Sequence, residues 1–527
     1  MNEEDFNYKY IKDKKVKRAI KQSVYSRVVI IALLLIAQIV FSFLILLKLE
    51  PYIEYFIGGN VVITLLFFIY LSNIQGKNEY KLAWLLPVLI MPIFGLACYI
   101  LYHINSGGLL LRSKLEKLKK KTNEYIANDE NSLKILESFP EVQGIGYYLL
   151  KQSANKPHIN NQLEYYSCGE DFYLKFLNTL KSAKKFIFLE FFIINIDESW
   201  LLLLEVLQQK VSEGVEVRIL YDALGSLMTS TKRYVKYLNS LGIKAKVFLP
   251  LIPFFSTQQN NRDHRKIVII DGEIGYTGGL NLANQYFNVG ENRFPYWKDN
   301  FIKIEGSAVQ NFTNMFLQTW NISNMKISDD FNKYLNIIPS KTYEPDGLLI
   351  PYDDDAYNNE DIAEDVYNYV IENSRQYLYI TTPYVILDYQ IKESLIFAAK
   401  KGVNVILIVP KKPDHLITFC IGRTFIKNLI ENSVKVFCYE KGFIHAKTFI
   451  SDDKIATVGS ANLDYRSFFH HFECGTFIYK SKVINEIKTD FENTLNDCSE
   501  FTIEQYKKIP LIKRMIGRVF RIFSPLV

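Results

Sequence analysis

The pattern His-x-Lys-x4-Asp occurs twice in this chain of 527 residues. The first copy is His264, Lys266 and Asp271 in HRKIVIID; the second is His445, Lys447 and Asp452 in HAKTFISD, each position 181 residues after its counterpart. The register continues downstream, where Gly278-Gly279-Leu280-Asn281 matches Gly459-Ser460-Ala461-Asn462. A repeat spaced by the length of a domain constrains the fold to two copies of one unit. A single histidine–lysine match carries a real false-positive risk, but two in register do not arise that way.

The surroundings of both copies read as α/β. Lys185–Asn195 is a buried strand, Trp200–Glu213 a helix and Val215–Tyr221 the next strand; Gln376–Thr382, Ile391–Lys401 and Val403–Val409 echo them. A turn glycine, Gly214 or Gly402, precedes the later strand in each half. Strands alternating with helices predict α/β lobes. Here the offset is 188, so a loop differs in length between the halves. Residues 339–360 are polar and acidic, with Asp353-Asp354-Asp355, and read as a linker. The lobes are then 133–338 and 361–500.

The repeated residues suit phosphate chemistry. Histidine attacks phosphorus or moves a proton near neutral pH. A lysine two residues along a strand shares the face of that histidine and binds a phosphate oxygen as a point charge. Asn281 and Asn462 add neutral donors, and the small residues before them permit close backbone approach. Asp271 and Asp452 end their strands before a turn and complete the expected catalytic set as supports of the histidine and lysine. Two such sets facing each other across a pseudo-two-fold axis form one site. One histidine attacks while the other protonates the leaving alcohol and later deprotonates the incoming one. This chemistry requires no metal and no cofactor.

Composition decides the setting. The net charge of +6 is too mild for a dedicated nucleic-acid binder. The six cysteines, none in a C-x-x-C pair, argue against zinc or a disulfide framework. Val28–Leu47 is uncharged, apolar and long enough to cross a bilayer; Tyr55–Leu71 is a shorter apolar stretch, and Leu82–Tyr102 is a third, interrupted by Pro87, Pro92 and Gly95. Residues 1–110 are thus a membrane region, and a cleavable signal peptide is not expected. Basic residues lie both before the first stretch, from Lys12 to Arg27, and after the last, from Arg112 to Lys121. Both groups favour the cytoplasm, so the crossings are even in number and one stretch is re-entrant or interfacial. After Pro510 the run LIKRMIGRVFRIF places Leu511, Ile512, Met515 and Ile516 on one helical face and Lys513, Arg514 and Arg518 on the other. This predicts an amphipathic membrane-surface tail over 501–527.

The strings RDHRKIVIIDG, YTGGLNLAN, YWKDNFIKIEG, TTPYVILD, GSANLDYRSFFHHFE and AWLLPVLIMPIFG resemble those of bacterial cardiolipin synthases of the phospholipase D superfamily. The resemblance covers nearly the whole chain. It implies N-terminal transmembrane helices followed by two repeated phospholipase D-like α/β lobes that form one active site. It implies His264 as nucleophile, His445 as general acid/base, and Asp299 and Glu473 as the carboxylates that hold the histidines. The implied reaction passes a phosphatidyl group from one phosphatidylglycerol to another, giving cardiolipin and glycerol at the cell membrane through a multi-pass protein. One departure is Asp263, where the family more often has asparagine. A hydrolytic phospholipase D uses the same histidine pair and is the main alternative. A nuclease is disfavoured by the membrane stretches, and an inactive scaffold by the intact motifs.

Overall fold

The structure, a computed structural model, describes residues 53–103, 106–126, 130–227, 229–250, 260–322, 331–335, 337–357 and 360–526, with isolated positions 36, 40, 43 and 44. The stretch Val28–Leu47 therefore lies outside the described residues, those four positions aside. The chain forms two compact units: Met1–Leu110 with Leu251–Asn260 and Val519–Val527, and Leu111–Pro250 with Asn261–Arg518.

In the first unit, α1 (Ile53–Asn73) contains the stretch Tyr55–Leu71 and is longer than the apolar run alone suggested. At 1.5 Å per residue it is about 31 Å long, matching a hydrocarbon core of about 30 Å. Among the described residues it is the one helix long and apolar enough to cross a membrane. The third stretch is not one span. It forms α2 (Asn78–Ile90) and α3 (Pro92–His103), broken at Met91, where Pro92 cannot continue the hydrogen-bond ladder. The two helices fold back on each other: Trp84 meets Tyr102, ring centroids 4.9 Å apart, and Val88 meets Gly95. A Cβ on Gly95 would lie 2.6 Å from backbone atoms of Pro87 and Val88, so only glycine permits this approach.

The second unit holds two mixed sheets built on one plan. The first contains β1 (Asn161–Tyr166), β2 (Phe186–Phe191), β3 (Glu216–Asp222), β4 (Lys244–Phe248), β5 (Lys266–Ile270), β6 (Ile274–Gly278) and β7 (Phe301–Gly306), in the order β1-β7-β6-β5-β2-β3-β4. The second contains β8 (Leu348–Asp354), β9 (Tyr377–Thr381), β10 (Asn404–Pro410), β11 (Lys435–Tyr439), β12 (Thr448–Ser451), β13 (Ile455–Gly459), β14 (His471–Tyr479) and β15 (Cys498–Glu500), in the order β8-β14-β13-β12-β9-β10-β11-β15. The connections explain the mixture. Helix α4 (Glu198–Ser212) carries the chain from β2 to a parallel β3, and α5 (Tyr389–Lys400) does the same from β9 to β10. Tight turns at Asp271-Gly272 and Asp452-Asp453 make β5–β6 and β12–β13 antiparallel. Strand β2 is buried along its whole length, as its apolar run predicts for a central strand covered on both faces. One apolar core serves both sheets, joining Ile267, Ile304 and Phe312 to Ala456, Val458 and Phe472.

The reading of 339–360 as a linker does not hold. Leu348–Asp354 is the fully buried strand β8, paired antiparallel with β14 from Leu348↔Tyr479 to Asp354↔Glu473. The acidic triplet disguised it. Asp353 receives Arg265 at 3.3 Å and Asp355 receives Lys119 at 2.5 Å, so these carboxylates are buried with partners rather than solvated.

At the other end of this unit, α6 (Leu416–Glu431) supports α7 (Leu511–Arg521). A Cβ on Gly517 would lie 2.2 Å from the Cys420 carbonyl oxygen, so this glycine sets the contact between them. Leu511, Ile512 and Met515 remain exposed.

Candidate active site

Each histidine is fixed by a two-residue backbone pairing with the opposite half. Arg262-Asp263 pairs in parallel with His471-Phe472, and the His264 N–H donates to the Phe472 carbonyl at 2.9 Å. Phe443-Ile444 pairs in parallel with Trp297-Lys298, and the His445 N–H donates to the Lys298 carbonyl at 2.7 Å. The next residue on each partner segment is a carboxylate. Glu473 oxygens lie 2.9 and 3.0 Å from His264 Nδ1, and an Asp299 oxygen lies 2.7 Å from His445 Nδ1. The carboxylates are thus exchanged: each half orients the histidine of the other. A carboxylate on Nδ1 holds the proton there and leaves the Nε2 lone pair free.

Both carboxylates are wholly buried and both histidines nearly so. Burial alone would raise Glu473 and Asp299, but their histidine partners outweigh it and hold both carboxyls below the usual range. Burial lowers His264 well below 6.5, and with Lys447 beside it lowers His445 to about 4. Neutral rings with ionised carboxylates are the state in which Nε2 can act as nucleophile or base.

Lys266 and Lys447 bind the backbone carbonyls of His264 and His445, two residues back on the same face. The Lys447 amine also lies 2.9 and 3.0 Å from the two His445 ring nitrogens. Burial lowers Lys266 to about 8 and Lys447 to about 7. An arriving phosphodiester anion would favour their charged forms, which gives the site a cationic cradle. Asn281 and Asn462 are buried. Asn281 Oδ1 accepts from the Ile193 N–H at 3.0 Å, whereas Asn462 Oδ1 has no hydrogen-bond partner.

The two aspartates of the motif do not join this group. Asp271 sits in the left-handed region, φ 56°, past the far end of β5, about 16 Å of strand from Lys266. Its carboxylate accepts the N–H groups of Lys184, Lys185 and Phe186 at 2.7, 2.7 and 2.9 Å, which fixes the start of β2. Asp452, φ 54°, does the same for Arg375, Gln376 and Tyr377 at 2.7, 2.9 and 2.9 Å. Their place in the expected catalytic set is corrected: they tie strands together away from the histidines. The fixed spacing follows from strand length, since the turn must fall where β5 and β12 end.

The pseudo-symmetry is broken beside the carboxylates. Ser460 Oγ donates to Glu473 at 2.5 Å, while at the matching position a Cβ on Gly279 would fall 1.9 Å from an Asp299 oxygen. Two groups beside the site, Arg265 and His471, escaped the sequence reading, and a third, Asp263, entered it only as a departure from the family pattern. Arg265 is buried, donates to the Glu473 carbonyl at 3.1 Å and braces β14 against Asp353. Asp263 is wholly buried, and burial, with Glu190 next, pushes its carboxyl well up. His471 is buried with its Nδ1 3.5 Å from Glu473 and its ring centroid 5.3 Å from that of His264. The signal for His471 was its spacing: two residues before Glu473 on one strand, it shares that face.

The family profile described as "Cardiolipin synthase, PLD-like domain" matches residues 176–320 and 368–495, more than half of the chain. The chain belongs to this family. It is 31% identical to cardiolipin synthase 2 of Bacillus cereus, covering 86% of this chain and 88% of that one. It is also 31% identical to a cardiolipin synthase of Staphylococcus aureus, covering 89% and 96%. An uncharacterized protein of Streptococcus mutans is 39% identical, covering 87% and 99%. In fold the chain is similar to phosphatidylserine synthase of Haemophilus influenzae, with a TM-score of 0.56 at 15% identity, over 73% of this chain and all of that one.

Proposed function

We propose that this chain is a membrane-bound cardiolipin synthase that works by double displacement at one site shared between its halves. The observation that carries the reading is the exchanged pair His264–Glu473 and His445–Asp299. His264 Nε2 attacks the phosphorus of one phosphatidylglycerol. The P–O bond to the headgroup glycerol breaks, and His445, protonated in the substrate complex, gives its proton to that oxygen. Free glycerol leaves and a phosphatidyl-histidine remains. A hydroxyl of a second phosphatidylglycerol then loses its proton to His445 and attacks phosphorus, which breaks the P–N bond and releases cardiolipin. Lys266 and Lys447, with Asn281 and Asn462, stabilise charge on the phosphoryl oxygens.

The same reading places the protein in the cell membrane with more than one crossing. α1 and Val28–Leu47 are the crossing segments, and the α2–α3 hairpin, with arms of about 20 Å, is the re-entrant one. Two crossings put both basic groups of the N-terminal region on the cytoplasmic side.

The test is product analysis. The purified protein is incubated with phosphatidylglycerol in mixed micelles, with chelator and without nucleotide. Cardiolipin and glycerol should appear in equal amounts. Phosphatidic acid as the main product would replace this reading with a hydrolase, and loss of turnover on chelation would overturn the metal-free route.

A further inference from the structure

His471 has no role in the reaction as derived, yet it is buried beside the most sensitive hydrogen bond in the site. It leads β14 two residues before Glu473, so both side chains project to the same face. Its exposure is 8%, and among the described residues its Nδ1 makes no well-formed hydrogen bond, the Glu473 oxygen standing 3.5 Å away. His264, His471 and Glu473 each offer a ligand atom, and these atoms lie within 4.8 Å of one another. Two imidazoles and one carboxylate are the donor set of three-ligand zinc sites that keep a fourth position open.

We propose that His264, His471 and Glu473 form an inhibitory site for zinc or a similar borderline transition-metal ion, placed on the nucleophile itself. The inference rests on His264 as the attacking residue.

The geometry needs one adjustment. Ligands at about 2.0–2.2 Å from zinc stand a little over 3 Å apart in a tetrahedron. The Glu473–His264 separation of 2.9 Å is already close to this. His471 must swing inward, and its Nδ1 gives up only a long 3.5 Å approach to the same Glu473 carboxylate in doing so. Ser460 holds the other Glu473 oxygen, the one not nearest His471, which leaves the first free for metal.

The chemistry of inhibition follows from the tautomer. In the active ring the proton is on Nδ1, shared with Glu473, and Nε2 carries the lone pair. Metal on Nδ1 takes the lone pair there, so the single proton of the neutral ring moves to Nε2. No proton is lost and nothing is oxidised. Nε2 then has no lone pair for phosphorus, and the attack stops. Among the described residues no second imidazole joins His445 and Asp299: the Lys447 amine and the rings of Trp297 and Tyr286 lie beside the His445 ring. Lys266 opposes a cation here and Glu473 favours it, so two imidazoles decide the affinity.

The experiment uses the untagged full-length protein in phosphatidylglycerol micelles, with zinc chloride as probe. Zinc content after equilibrium dialysis and the rate of phosphatidylglycerol consumption are read separately. Wild type should bind one zinc and lose turnover in the micromolar range, with recovery on adding chelator. His471→Asn and His471→Gln should turn over normally without zinc. They should raise the half-inhibiting concentration by at least about tenfold, as loss of a ligand demands. His470→Asn, on the neighbouring residue, should behave as wild type, and magnesium, which prefers oxygen ligands, should not inhibit. Unchanged zinc binding or inhibition in the His471 variants overturns the proposal, as does a wild type that binds no zinc. If both variants fold poorly, zinc bound to Glu473→Gln at wild-type affinity overturns it. A protein that makes phosphatidic acid instead of cardiolipin would sink the proposed function, while His471-dependent zinc binding would still support the metal site.

Discussion

Asp271→Asn separates a structural residue from a catalytic one within the same motif. Asparagine tolerates the left-handed backbone at φ 56°, so the change removes charge without adding backbone strain. Oδ1 keeps its two acceptor contacts, to Lys185 and Phe186. The other position becomes an amide NH2 that faces the Lys184 N–H, formerly 2.7 Å from an accepting oxygen. One hydrogen bond is replaced by a donor–donor clash, and two lose charge assistance. Hydrogen bonds to charged groups contribute about 1.5–3 kcal/mol each, and Asp271 is only half-buried, so a loss of about 2 kcal/mol is expected. At roughly 1–2 °C per kcal/mol for a unit of this size, the melting temperature should fall by about 2–4 °C. Turnover below that temperature should change by less than about threefold, because no reacting group moves. Asp452→Asn should behave alike. Thermal unfolding followed by intrinsic fluorescence, beside initial rates of cardiolipin formation, gives both numbers. A hundredfold loss of turnover at unchanged melting temperature would refute the assignment.

Glu473→Gln should do the opposite: kcat falls by about 10²–10⁴ with little change in melting temperature, since the amide cannot hold the Nδ1 proton of His264 as a carboxylate does; a loss under tenfold would remove Glu473 from the mechanism. Burial keeps His445 near 4 when folded against 6.5 unfolded, so the unfolded chain takes up the extra proton as pH falls. The contribution of His445 to stability should therefore be constant above about pH 6.5 and fall by about 2–3 kcal/mol between 6.5 and 4.5, so melting curves of His445→Gln should show a shallower decline over that window than those of the wild type. The exposed face of α7 should bind lipid: Leu511→Asp with Met515→Asp should weaken binding of the fragment starting at Leu111 to anionic vesicles without lowering its melting temperature. A lower melting temperature with unchanged binding would make α7 a packing element instead.

The repeat made the architecture and the paired histidines readable, because strand runs, turn glycines and motif spacing are local. Five of the six predicted strands and helices around the motifs sit within two residues of their observed ends, from Glu198–Ser212 to Asn404–Pro410, while the strand expected to reach Asn195 stops four residues earlier at Phe191. What escaped was non-local. β8 was hidden because three aspartates look solvated until Arg265 and Lys119 are brought to them. The role of Asp271 was invisible because its partners are backbone N–H groups 85–87 residues away, which have no sequence signature. His471 stood in plain view in FFHHFE, but only β14 shows that it shares the face of Glu473. The break at Met91 was legible from Pro87, Pro92 and Gly95; the fold-back was not, because it depends on Trp84 and Tyr102 meeting across it.

On the proposed mechanism, one site built from both halves needs both histidines. His264→Ala, His445→Ala and the double variant should be compared in the same phosphatidylglycerol assay, each checked for an unchanged melting temperature. Each single variant should lose nearly all turnover, and the double variant should be scarcely worse than either, as for groups that act as a unit. Half of the wild-type rate surviving in each single variant would mean two independent sites and would contradict the account.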